Sequence, residues 1–238
     1  MDMHTGSGAP DIFAAAVAMR ADQPRLRARD LADKLGVSEA ELVEAQAEGK
    51  ARRLDGPWSD LIAEVEALGP VMALTRNESA VHEKTGVYDR VSGGGMMGIA
   101  LGADIDLRLF YGRWKYGFAV EAESEVGPRR SLQFFGPDGV AVHKIYVKPE
   151  SDADAYEALV GRYLADPSAP PLDVILPEAP APDRPDAEID VDGLRGGWAA
   201  LKDVHDFNAL LKKYGVGRQQ AFRLVGEEWA TPVGRESF

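Results

Sequence analysis

Four histidines and no cysteine set the chemistry open to this chain of 238 residues. Disulfides, thiolate metal sites and cysteine nucleophiles are excluded, and His4, His82, His143 and His205 form no HxxxH or HExxH pair, so a structural zinc site is not expected. His205 stands out. The segment from Trp198 to Phe207 (WAALKDVHDF) reads as a helix in which Val204, Phe207, Leu211 and Tyr214 recur at i, i+3, i+7 and i+10 as a core stripe. His205 then lies opposite that stripe and shares its face with Trp198 and Leu201. An imidazole that the local core does not need, set in a bulky apolar surface, suits ligation; a solvated helix-surface histidine is the alternative. His82 alternates with Val81 in an expected strand and His143 sits in another, and both read as ordinary surface or hydrogen-bonded residues.

Arg108 belongs to the run Asp104 to Tyr111, where Ile105, Leu107, Leu109 and Tyr111 alternate onto one face. Arg108 therefore points the other way with Asp106 and Phe110, as a cross-strand ion-pair partner on a wet surface or as a cation aimed at an anionic ligand. Arg129 and Arg130 read as a solvated hairpin tip. Gly93, Gly95 and Gly98 satisfy GxGxxG, but strands flank them and no βαβ unit does, so a tight turn or close strand approach fits better than a nucleotide site. The stretch from Ala28 to Ser38 looks like the start of a helix-turn-helix. Its second helix carries Glu39, Glu41, Glu44 and Glu48, the wrong sign for a phosphate backbone.

The elements that must hold these residues change period at residue 71. Before it the pattern is helical: about 12–19, a segment through Leu35 ended by Gly36, a helix through Ala45 with Ser38 and Glu41 at capping-box spacing, and 58–68. After it, strands are expected near 71–75, 79–88, 96–101, 104–111, 114–123, 131–135 and 139–147, with short turns such as 136–139 that imply antiparallel neighbours. A helix with Tyr156, Leu159, Val160, Tyr163 and Leu164 on one face follows, opened by Ser151. Prolines and acidic residues between 167 and 185 read as an extended linker. Beyond it, KYGVGR at 213–218 echoes KLGVSE at 34–39, an internal repeat. The expected organisation is a flexible start over 1–10, a first repeat over 11–165, a linker over 166–190 and the helical head of a second repeat over 191–238.

Composition narrows the setting. A formal net charge of −12 disfavours nucleic acid and anionic membrane surfaces, and any anionic ligand must find its own arginines. No apolar run reaches the roughly 20 residues of a membrane span and the start has no secretory signal pattern, so a cytoplasmic address without membrane insertion is expected.

Several segments together resemble the bacterial cytoplasmic haem-uptake proteins of the HemS/ChuS/PhuS type, also called haemin-degrading factors. They are Ala28 to Ala45, the NExAVHE pattern from Asn77, Asp106 to Phe110, Ser131 to Phe135, Asp203 to Phe207 and Arg218 to Phe222, in matching order from about residue 11 to 233. The resemblance implies an α+β fold, a helical cap plus a large antiparallel sheet in each of two repeats, with haem held in a cleft. It implies His205 as the axial ligand on haem iron, Arg108 on the distal side, Arg218 near the haem and His82 as a weaker second iron-site candidate. It also implies a haem oxygenase and the haem import system as partners, and a role in trafficking haem, degrading it, or both. The family's second repeat is complete whereas here its sheet is missing, which would mean a truncated product or a homodimer that completes the cleft. Two other functions compete: a helix-turn-helix DNA-binding regulator, and a carrier of the same fold for another small molecule.

Overall fold

Strand edges carry unpaired N–H and C=O groups, so alternating segments joined by short turns pair with their neighbours. The computed structural model describes residues 9–77, 80–124, 127–176, 181–234 and 236, divided into two units, Met1–Pro177 and Glu178–Phe238. The first unit opens with helices α1 (Ala9–Asp22), α2 (Ala28–Leu35) and α3 (Glu39–Glu44), then strand β1 (Lys50–Leu54) and helix α4 (Trp58–Glu64), prolonged by a 3-10 turn over Val65–Leu68. Strands β2 (Val71–Arg76), β3 (Val81–Gly86), β4 (Val91–Gly94), β5 (Met97–Leu101), β6 (Asp106–Leu109), β7 (Tyr116–Ala122), β8 (Arg129–Phe135) and β9 (Ala141–Val147) follow, then helix α5 (Ala153–Arg162). Six strands make an antiparallel sheet in the order β1-β7-β8-β9-β2-β3, and β4-β5-β6 make a small antiparallel sheet. The chain is α+β, with helices and a large antiparallel sheet, as its sequence implies.

The differences from expectation are local. Residues 9 and 10, expected in a flexible start, open α1; residues 1–8, the Glu78–Ser79 part of the NExAVHE segment, and 177–180 of the expected linker lie outside the described residues. β1 was not expected, because KARRL lacks apolar alternation, nor was the glycine-rich β4. Arg129 and Arg130 begin β8 instead of capping a hairpin, and Arg130 reaches Glu121 on β7 at 2.9 Å. Asp152, not Ser151, caps α5, accepting from the Asp154 and Ala155 amides at 2.9 Å each. The capping box at Ser38 and Glu41 forms in full. Of the GxGxxG glycines, Gly93 and Gly95 take positive φ at the β4–β5 hairpin, so they serve the turn.

Burial of the central strands is two-sided. Leu132, Phe134, Ile145 and Ala73 face a core shared with α4, α5 and the small sheet. On the other face α3 packs Ala40 and Val43 onto Phe118, Val120 and Phe135, while α1 and α2 join α3 through Ile12, Ala16, Leu31 and Leu42. The layer bears on the DNA-binding alternative: α3, the would-be recognition helix, has six residues, Glu39, Ala40, Leu42 and Val43 are buried, and the two that are not, Glu41 and Glu44, carry the wrong sign for a phosphate backbone.

The stretch expected as a free linker is tied down on both sides of the undescribed residues. Within the first unit the Ile175 amide donates to the Pro137 carbonyl at 2.8 Å, and Leu172 and Val174 pack beside Tyr116 and Phe118. Within the second unit Asp186 accepts from Gln220 at 2.9 Å and pairs with Arg223, which holds its carboxyl down at about 2, with Gln220 contributing.

The second unit comprises α6 (Val191–Ala199), a 3-10 turn over Val204–Asp206, α7 (Phe207–Tyr214) and α8 (Arg218–Val225). Ile189, Leu194, Leu210, Val216, Ala221 and Val225 are its core. The repeated sequence has repeated geometry. α2 ends at Gly36 (φ 67°) and α7 at Gly215 (φ 60°), left-handed positions that glycine adopts without Cβ strain. In each, the next valine amide returns at 3.1 Å to a helix carbonyl, Val37 to Ala32 and Val216 to Leu211.

Of the two readings the strand pattern leaves for His143, surface or hydrogen-bonded, the structure shows the second. It lies on the core face of β9, buried, paired across the strands with Phe134, and Trp114 stacks on both rings (centroids 5.6 Å from His143 and 4.5 Å from Phe134). Its Nε2 and the Tyr88 hydroxyl are 2.7 Å apart. Burial pushes the Tyr88 phenol well up and the His143 imidazole down to about 4, so a protonated phenol donates to a neutral ring. The folded state therefore binds fewer protons than the unfolded state between pH 6.5 and 4, and stability falls as pH drops through that window, by about 3 kcal/mol at full effect. Chemical denaturation at pH 7, 5.5 and 4 checks this: the stability gap between the parent and His143→Gln should close by about that amount. Parallel curves would contradict it.

Candidate functional site

His205 is not on a continuous helix. α6 stops at Ala199, and Asp203, in extended conformation, accepts the His205 amide at 2.8 Å and starts a new turn. A short carboxylate that caps the backbone in this way competes with helix continuation. The expected core stripe fails at its first member for the same reason: Val204 is 82% exposed, while Phe207, Leu211 and Tyr214 pack against the second unit's core and Leu210 is buried in it.

The break gives His205 a defined environment. Its side chain is 89% exposed, and Nδ1 lies 2.5 Å from Oδ1 of Asp203. Two N–H donors converge on this carboxylate, the backbone amide of His205 first and its ring second, and they hold the Asp203 carboxyl below the usual range. An ionised Asp203 fixes the proton on Nδ1, which leaves the Nε2 lone pair for a ligand. Asp203 was not singled out in the sequence; its signal was an aspartate two residues before the histidine in DVHD.

Beside this turn lies a groove of about 460 Å³ lined by Trp198, Leu201, Val204, Phe207, Phe222 and Arg218, among others. Its aromatic floor is ordered. Phe207 and Phe222 stack with centroids 5.8 Å apart, and Trp198 meets both edge-on at 4.8 and 5.8 Å. Arg218, at the first turn of α8, lies 5.5 Å over the Phe207 ring and donates to Asn208 Oδ1 at 3.1 Å. Lys202 adds a second cation to the lining. The groove includes Asp203 and Val204 but not His205, whose ring stands outside it. An apolar wall, two cations and an adjacent imidazole with one open nitrogen suit a flat, largely apolar anion.

The other expected residues belong to the first unit. Arg108 is on β6, opposite Ile99 of β5, with its side chain 59% exposed and paired to Asp106 on its own strand, not across the sheet. Phe110 beside it is also exposed, and Ile105, Leu109 and Tyr111 are buried, as the alternation implied. His82 is exposed on edge strand β3, opposite Thr75. Arg108 and His82 thus occupy different sheets, whereas His205 and Arg218 share one helical unit. Among the described residues no group of three or more His, Asp or Glu could hold a bare metal ion, and no helix is long and apolar enough to cross a membrane.

Comparison with known proteins gives the same direction. The chain is 40% identical over 222 residues to the hemin transport protein HemS of Yersinia enterocolitica, an alignment covering 92% of this chain and 63% of that protein. Among solved structures it superposes on holo-PhuS, a heme-binding protein from Pseudomonas aeruginosa, with TM-score 0.85 and 47% identity over 94% of this chain and 65% of that one. The Escherichia coli O157:H7 heme degrading enzyme ChuS matches with TM-score 0.81 and 32% identity, over 92% and 63%. The chain thus spans slightly under two thirds of the length of each. Residues 36–163, more than half of the chain, match the haemin-degrading HemS/ChuX domain, and the protein belongs to that family.

Proposed function

We propose that this chain binds haem in the cytoplasm as part of bacterial haem-iron uptake, with His205 as the axial ligand on the iron. The observation that carries the reading is the Asp203–His205 pair beside the aromatic groove: the carboxylate orients the ring and leaves Nε2 open. Trp198, Phe207 and Phe222 would supply the apolar contact area, and Arg218 and Lys202 the charge for the propionates. Burying a few hundred Å² of porphyrin contributes on the order of 10 kcal/mol before an association cost of about 4 to 15, so apolar contact supplies most of the affinity and the imidazole fixes orientation. Arg108 is assigned a charged hydrogen bond at the distal face, for which its exposed guanidinium is suited. His82, solvent-facing on an edge strand, is assigned a secondary iron contact.

Haem, when bound, supplies the redox-active iron that degradation requires. The residues proposed around it bind and orient; none is set up as a nucleophile. Trafficking to a haem oxygenase, receipt from the import system and direct degradation all start from the same bound state.

Haemin titration followed in the Soret region tests the assignment. The parent should give a shifted band, His205→Ala a different band position with weaker binding, and Arg108→Ala an altered band; identical spectra and affinities in all three would contradict it. Asp203→Asn should keep the parent's band position yet bind haemin about 10-fold to 100-fold more weakly, the range for loss of a partner that orients a ligand. Unchanged affinity would mean that Asp203 does not orient the ring. Incubation of the complex with reductant and oxygen in the presence of catalase separates the two roles: loss of the Soret band with a defined tetrapyrrole product marks a degrading enzyme, and intact haem marks a carrier.

A further inference from the structure

The helical layer of the first unit covers only part of the outer sheet face. The remainder is a cleft of about 1490 Å³ between the α1–α2 segment and strands β2, β3, β7, β8 and β9. Ligand pockets usually occupy about 300 to 1000 Å³, so there is room for a multi-ring molecule. The lining departs from the rest of the chain. Among the described residues its lining carries seven cationic side chains and five carboxylates, in a protein whose net charge is −12. Some of the cations are spoken for, since Arg20 pairs with Glu48, and Arg76 and Lys144 share the buried Glu39. Others are not: Arg25, Arg27 and Arg129 have no carboxylate partner among the described residues. Arg129 instead lies 5.2 Å from the centre of the Tyr146 ring.

The floor is built rather than merely wet. Lys144 is 7% exposed and Gln133 6%, yet both line the cleft, and Gln133 Oε1 has no hydrogen-bond partner among the described residues while its amide nitrogen donates to Ser131 at 3.0 Å. Leu74, Val120 and Tyr146 supply apolar and aromatic surface between these polar groups. Native proteins seldom leave a buried acceptor unmatched.

We propose that this cleft is a second ligand site, separate from the His205 groove, and that it takes an organic dianion with a flat, largely apolar body. Arg27 and Arg129 hold the acid groups, the body lies on Tyr146, Leu74 and Val120, and a ligand N–H or O–H donates to Gln133. The charge balance selects the size of the ligand. The two arginines, Arg27 and Arg129, match a dicarboxylate or a phosphate monoester, whereas the carboxylates of the lining would repel a long phosphate chain.

Two fluorescent probes distinguish the acid groups on the full chain: flavin mononucleotide, a phosphate monoester, and metal-free protoporphyrin IX, a dicarboxylate with no iron for His205 to grip. Saturable binding of either probe is expected, weakened at least tenfold by the double variant Arg27→Ala/Arg129→Ala and weakened again by 0.5 M salt. Both arginines are exposed, so this variant tests the site without disturbing the core. Gln133→Leu should weaken binding further where it folds. Failure of both probes to bind the parent, or binding indifferent to the double variant, would overturn the proposal. The haem reading fails separately: the double variant should leave the His205-dependent position of the haemin Soret band unchanged, and His205→Ala should leave flavin mononucleotide binding unchanged.

Discussion

A sheet whose central strands are apolar in both directions has two faces to cover, and the cover available for each differs. Strands β7, β8 and β9 send Ala119, Leu132, Phe134 and Ile145 to one side, where α4, α5 and the small sheet close over them. On the other side α3 is six residues long, and it shields Phe118, Val120 and Phe135 but reaches no further. The uncovered part of that face could not remain apolar in water. Its strand positions are Ser131, Gln133, Lys144 and Arg129, and the surface becomes a cationic cleft. The same constraint explains the layered helices: α1 and α2 bury little against the sheet and much against α3, so the cap is a small helical cluster of its own.

In the second unit the deciding interaction is smaller. One carboxylate, Asp203, interrupts what would otherwise be a continuous helix from α6 into α7, and by accepting two N–H groups from His205 it converts that residue from a helix-surface side chain into an oriented ring on a turn. The interruption also leaves Val204 exposed and opens Trp198, Phe207 and Phe222 along a groove. An oriented imidazole next to a stacked aromatic floor is what a planar iron complex requires. A regular helix would have presented the same histidine with no fixed tautomer and a closed apolar seam.

The sequence made the periodic parts of this fold legible and hid the parts set by tertiary contact. The seven expected strands all exist within a few residues, because alternation such as that of Ile105, Leu107 and Leu109 reports directly which side is buried. β1 was hidden since KARRL is amphipathic through its aliphatic stems, and its pairing with β7 supplies what its composition lacks. The helix through His205 was misread because period alone carries no information about a side-chain cap; DVHD contained the signal in Asp203. His143 was passed over for a related reason. A histidine in a strand is ambiguous until its neighbours are known, and here Tyr88 and Trp114, distant in sequence, bury it and keep it neutral. The family resemblance, in contrast, rested on order and spacing over most of the chain, and the match of residues 36–163 bears it out.

The central claim is that Asp203 fixes the proton of His205 on Nδ1 and leaves Nε2 bare. Long-range proton–nitrogen NMR on histidine-labelled protein at pH 8 reads this directly. The account predicts that His205 gives the pattern of a neutral ring protonated at Nδ1, and that Asp203→Asn shifts the ring toward the Nε2-protonated form. A parent His205 already protonated at Nε2, or an equal mixture that ignores the Asp203 substitution, would contradict it.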